Sequence, residues 1–206
     1  MKKAFLFMLV MLVTVTNIYA GNPTEKIIKK AVKTRMKELK KGGWEVFGTA
    51  LPLDVALYNY YTDLYKLAQN GCEQMGNGSE SENKTVLHQK AMADALRGYS
   101  TKASSNVSVE TVEELNSINA KDLENFRSMY ESKVQKTINN QLREYFSIIR
   151  PSRTIKGSYE MQTFFLVDDR KALEFRKQAM KETFFEMKFK QDMLDPLEKA
   201  VELPVK

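Results

Sequence analysis

Cysteine, histidine and tryptophan each occur once in this chain of 206 residues, as Cys72, His88 and Trp44. A lone thiol forms no internal disulfide, and one Cys with one His falls short of the four ligands of a structural zinc site. Neither do they form a Cys-His nucleophile arrangement. Five prolines and nine glycines exclude a collagen-like or low-complexity chain, and 43% hydrophobic with 28% charged residues excludes a disordered one. The glycines between Gly71 and Gly78 lack both the Walker lysine and the dinucleotide-binding spacing. Beyond the first 20 residues no apolar run approaches the roughly 20 residues of a spanning helix. What remains is the composition of one ordinary folded domain.

The first segment has a clear address. Lys2 and Lys3 precede an apolar run from Ala4 to Val15, and Ala20 stands before Gly21-Asn22-Pro23. This reads as a secretory signal peptide over 1–20, with a small residue before the cut and a turn-prone start after it. The expected product is exported, periplasmic or outer-membrane associated. No Cys lies near the cut, so the N-terminus is not expected to be lipid-anchored. The short Met-Lys-Lys head fits a bacterial leader.

Charge is unevenly distributed. Loss of Lys2 and Lys3 with the leader lowers the net charge from +6 to +4. Between Gly21 and Lys41 there are eight basic and two acidic residues, whereas the rest of the mature chain carries 22 basic and 24 acidic ones. In this segment, 21–43, Ile27, Ile28, Ala31, Val32, Met36 and Leu39 recur at helical spacing until Gly42-Gly43 stops the helix. Lys26, Lys29, Lys30, Lys33, Lys37 and Lys40 then form a basic face over 25–41. Such a face can meet an anionic membrane surface, or it can stay solvated while the apolar face docks on the domain, which is the reading we prefer. Nucleic acid is not an expected partner, because no aromatic-plus-Arg platform accompanies the lysines.

Residues 44–206 read as a single α+β domain. Trp44 to Gly48 alternates as a short strand, and Pro52 opens a helix from Leu53 to Gln69. Cys72 to Met75 is a brief strand, and Gly76 to Asn83 is turn-rich and expected to be a surface loop. A helix over 84–102 carries Leu87, Ala91, Ala95, Tyr99 and Ala103 at successive fourth positions. Helical spacing resumes at Val109, Val112 and Leu115, and again from Asp122 through Leu123, Phe126, Tyr130, Val134 and Ile138. Leu142 to Arg150 and Ser158 to Val167 flank a turn-rich segment and predict a hairpin. Asp168-Asp169 then caps a final helix with Leu173, Met180, Phe184 and Met187 on its packed side. Asp195-Pro196 restarts or kinks it. The expected fold is a small, mainly antiparallel sheet with a C-terminal hairpin, covered by several helices.

That order of elements, with Gly43-Trp44-Glu45 before Leu51-Pro52-Leu53, the Ala-rich run Ala91 to Leu96, and Gly157 to Gln162 leading into the final helix, resembles a known bacterial group. It is similar to the small surface-lipoprotein domain also found in a flagellar outer-membrane assembly protein, and more closely to related uncharacterised exported proteins. The likeness covers about 44–190 and rests on packing residues. It implies an envelope protein with a structural or interaction role, and it supplies no catalytic residues. The absent lipobox Cys departs from the lipoprotein pattern.

Candidate chemistry is sparse. His88 and Met92 sit one helical turn apart, but two ligands do not make a metal site. Glu113-Glu114 and Asp168-Asp169 pair carboxylates, the second where a helix N-terminus favours negative charge. Catalytic, cofactor and metal sites are therefore not expected. Tyr58, Tyr60, Tyr61 and Tyr65 crowd one helix, and Tyr58 and Tyr61 are the candidates for a surface that engages an envelope protein partner or a second copy.

Overall fold

The computed structural model describes residues 25–107 and 120–205. The leader, the helical spacing at Val109, Val112 and Leu115 and the pair Glu113-Glu114 lie outside these residues. In chain order the elements are α1 (Glu25–Lys41), β1 (Glu45–Phe47), α2 (Leu53–Leu67), β2 (Gly71–Ser81), α3 (Lys84–Ser105), α4 (Ala120–Thr137), β3 (Arg143–Pro151), β4 (Tyr159–Asp168), α5 (Asp169–Glu186) and α6 (Leu194–Glu202). The strands form one antiparallel sheet in the order β1-β3-β4-β2, with the expected hairpin at its centre. The fold is α+β, as the sequence predicts.

Both faces of the sheet are covered, and the alternation within β4 shows why. Phe164 and Leu166 join Phe146 and Ile148 of β3 under α1 and α2, where Ile28, Val32, Leu39, Ala56, Leu57 and Tyr60 complete the core. Phe165 and Val167 point the other way, with Cys72, toward Ala95 and Tyr99 of α3. Beyond α3 lie α4, α5 and α6, whose Phe126, Tyr130, Met180, Phe184 and Leu197 extend this core. A strand buried on both sides needs large apolar residues at every position, and 161–167 meets that need except at Gln162 and Thr163. Thr163 is reconciled by a cross-strand hydroxyl pair, its Oγ1 lying 2.9 Å from Ser147 Oγ.

The expected loop over Gly76–Asn83 is corrected. The chain instead continues as strand β2 through Ser81, paired with β4 from Gly71 to Gly78 before the register shifts. Gly76 and Gly78 are buried against the backbone of α3, at the Ala91 and Leu87 carbonyls. Glycine here does not mark a turn. It removes the side chains that would hold helix and strand apart.

Other boundaries shift by a few residues. α2 ends at Leu67 and is followed by a 3₁₀ turn, Ala68–Asn70. α3 runs on to Ser105, and its N-terminus is capped by Asn83 Oδ1, which accepts from the amides of Thr85 and Val86. The apolar face of α1 docks on the domain, contributing Ile28, Val32 and Leu39 to the core it shares with the sheet.

Candidate functional site

The basic helix and the tyrosine helix meet in one groove. α1 ends where the Trp44 amide donates to the Leu39 carbonyl at 3.1 Å and Gly43 takes φ 74°, turning the chain back toward the sheet. Pro52 then starts α2. Between the two helices lies an open groove of about 680 Å³ whose floor is Val32, Met36, Val55 and Tyr58. Lys29, Lys33, Lys37 and Lys40 project along the α1 side, and Asp54 is the single acidic residue lining it. Its volume lies within the range of ligand sites, roughly 300–1,000 Å³, and its combination of apolar floor and charged rim is what such sites present.

This arrangement brings together some predicted residues and separates others. All six lysines are exposed, but only Lys29, Lys33, Lys37 and Lys40 reach the groove, while Lys26 and Lys30 lie elsewhere on α1. Lys29 is held at 2.7 Å by Glu25, which raises its proton affinity and lowers that of the carboxyl. Tyr58 lines the groove and is half-buried. Tyr61 is not the exposed residue expected. It packs edge-on against Tyr60 with ring centroids 5.5 Å apart, and burial pushes its hydroxyl up to about 12. Tyr61 loses exposure to its packing partners in the core, whereas Tyr58 keeps one side on the open groove.

The docked state of α1 also bears on membranes. An interfacial helix sinks its apolar stripe into lipid. Here Ile28, Val32 and Leu39 of the stripe are buried in the domain, while Ile27 stays exposed.

The other titratable clusters face inward. Tyr60 donates to Glu73 Oε2 at 2.7 Å, and burial raises its proton affinity well above the usual tyrosine range. Asp168 caps α5 by accepting from the Arg170 amide. Its neighbour Asp169 does something the sequence did not signal: only 6% exposed, it forms an ion pair with Arg176, itself 1% exposed, at 3.1 Å. Tyr99 Oη donates to Asp169 Oδ1 at 2.9 Å, and the Val205 amide donates to Oδ2 at 3.3 Å. Cys72 is a buried free thiol, pushed up chiefly by burial.

His88 contacts Glu144 rather than a metal partner, with Nε2 2.9 Å from Oε2, and Glu144 also accepts from Ser147 Oγ. Met92 packs against the core. Among the described residues no group of three or more His, Cys, Asp or Glu side chains is placed to hold a metal ion. A polar notch of about 270 Å³ lies against α4, where Glu131 accepts from Thr101 and Ser104 of α3. No helix among the described residues is long and apolar enough to cross a membrane.

No family model, curated protein or solved structure matches this chain.

Proposed function

We propose that this is an exported, non-enzymatic protein of a bacterial envelope that acts through protein contacts. The observation that carries the reading is the groove between α1 and α2, where half-buried Met36 and Tyr58 and exposed Val55 lie beside a row of lysines. The most strongly perturbed tyrosines, Tyr60, Tyr99 and Tyr130, are by contrast buried in the cores and do not line the groove. The leader over 1–20 and the resemblance to the surface-lipoprotein group support the envelope setting.

A second reading makes α1 a membrane-surface contact through its lysines. Their exposure favours it, with each basic residue near an anionic surface contributing about 1 kcal/mol. The burial of the apolar stripe restricts that contact to electrostatics.

The test is made in the cell. Mass spectrometry of the exported protein should find Gly21 at its N-terminus. A photo-cross-linker at Val55, in the groove, should give a discrete protein adduct that the same group at exposed Ile155 does not. An unprocessed cytosolic chain, or equal labelling from both positions, overturns the reading.

A further inference from the structure

The groove specifies more than a protein contact. Lys33, Lys37 and Lys40 stand in line along its α1 side, and no carboxylate among the described residues pairs with any of them. At a rise of about 1.5 Å per residue they span about 10 Å. Beside them the floor, Val32, Met36, Val55 and Tyr58, is apolar, with Val55 39% exposed. A ligand complementary to both features carries an apolar stripe flanked by a row of anions at the same repeat.

Carboxylates three and four residues apart on an α-helix repeat over that same distance, because partner and α1 share one rise per residue. An extended segment is disfavoured. Its backbone amides and carbonyls would lie over apolar side chains and between helices that have no free hydrogen-bonding edge. A fatty acid brings one anion to three unpaired lysines. A flat bilayer meets the lysines, but offers no row of anions matched in spacing to an apolar stripe.

We propose that the α1–α2 groove docks an acidic amphipathic helix of another protein, laid along α1 with its carboxylates toward Lys33, Lys37 and Lys40 and its apolar stripe on the floor. This rests on the reading that the protein acts through protein contacts, and names the chemistry of the partner. Helix-in-groove recognition of this kind takes its affinity from the apolar face and its register from the charges.

The test uses the exported protein as purified, with a labelled synthetic helix bearing Glu at every third and fourth position beside a Leu stripe. A scrambled peptide of the same composition and phosphatidylglycerol vesicles serve as controls. The ordered helix should bind, and the scrambled one should not. Lys33→Glu with Lys37→Glu should weaken binding by about tenfold, the equivalent of two exposed charge pairs. A peptide with Lys in place of Glu should restore binding to that variant. Val55→Asp, on the floor, should weaken binding without changing the far-ultraviolet spectrum.

Equal binding of ordered and scrambled peptides, no binding, or vesicle binding alone each overturn the proposal. A Val55 adduct in cells combined with failure of the acidic helix would retain the protein-contact function and remove this partner class. Loss of both would remove the two together.

Discussion

Gly76 of β2 faces the Ala91 carbonyl of α3 so closely that a methyl group on Gly76 would overlap the carbonyl oxygen. Gly78 stands in the same relation to Leu87. These two contacts set the distance at which α3 lies on the edge strand β2.

Gly76→Ala should therefore destabilise the protein by about 1–3 kcal/mol or more, since backbone on both sides resists displacement. Gly98→Ala is the control. Its added methyl would meet only the end of the Gln74 side chain, at 3.2 Å, and a helix interior favours Ala over Gly by about 1 kcal/mol. Urea denaturation should show Gly98→Ala within about 1 kcal/mol of the parent. Equal effects of the two substitutions would refute this account of the glycines.

The Asp169–Arg176 pair should be sensitive to loss of one member. Arg176→Met leaves the Asp169 carboxylate buried with only Tyr99 and the Val205 amide as donors, and should cost about 3–5 kcal/mol. Replacing both residues by apolar ones of similar volume should cost less than that single change, because no uncompensated charge remains. A double-mutant cycle by thermal or chemical unfolding measures the difference, and simple additivity would refute the burial argument.

Tyr61→Ala should destabilise the fold by about 2 kcal/mol through loss of its packing on Tyr60, whereas Lys33→Glu should change stability by less than about 0.5 kcal/mol. Charge reversal on α1 is thus a clean probe of the groove. Removal of Tyr61 is not, and a binding defect in that variant would report damage to the core.

Both pH limbs follow from named groups. Burial raises Tyr60, Tyr99 and Tyr130 above the usual tyrosine range and pushes Tyr61 and Tyr145 up to about 12. Unfolded tyrosine ionises near 10, so the stability tied to these hydroxyls is complete below about pH 10 and is lost as pH rises toward 12. Tyrosinate absorbance and circular dichroism should change together in one cooperative alkaline transition. Titration of the phenols near pH 10 with the fold intact would contradict it.

On the acid side, Lys66, then Tyr145 and Arg143, hold the Asp63 carboxyl below the usual range, against the opposing effect of partial burial. That stabilisation is present above the unfolded value, near 3.9, and is lost as pH falls through the lower folded value. Asp63→Asn should flatten the acid limb of stability against pH, and an unchanged limb would remove Asp63 as its source.

Much of the fold was legible in the sequence because period reports face. Leu87, Ala91, Ala95, Tyr99 and Ala103 all proved buried, as did Leu123, Phe126, Tyr130, Val134 and Ile138. The two faces of β4 separate at Phe164/Leu166 and Phe165/Val167, the period-two alternation of a strand. Asp168 at the start of α5 was likewise readable, since capping depends on residues within one turn.

Tertiary structure alone decided three things. The glycines of β2 read locally as a turn, and became a strand because α3 supplies backbone at a distance only glycine tolerates. Asp169 reads only as part of a helix cap, and its burial with Arg176 comes from α3, α4 and α6 packing around α5. The groove depends on which side of α1 lies beside α2, and no periodicity contains that information. A pattern along one element shows which face turns inward. What it turns toward is set by contacts between residues far apart in the chain, and these exist only once the layers have packed.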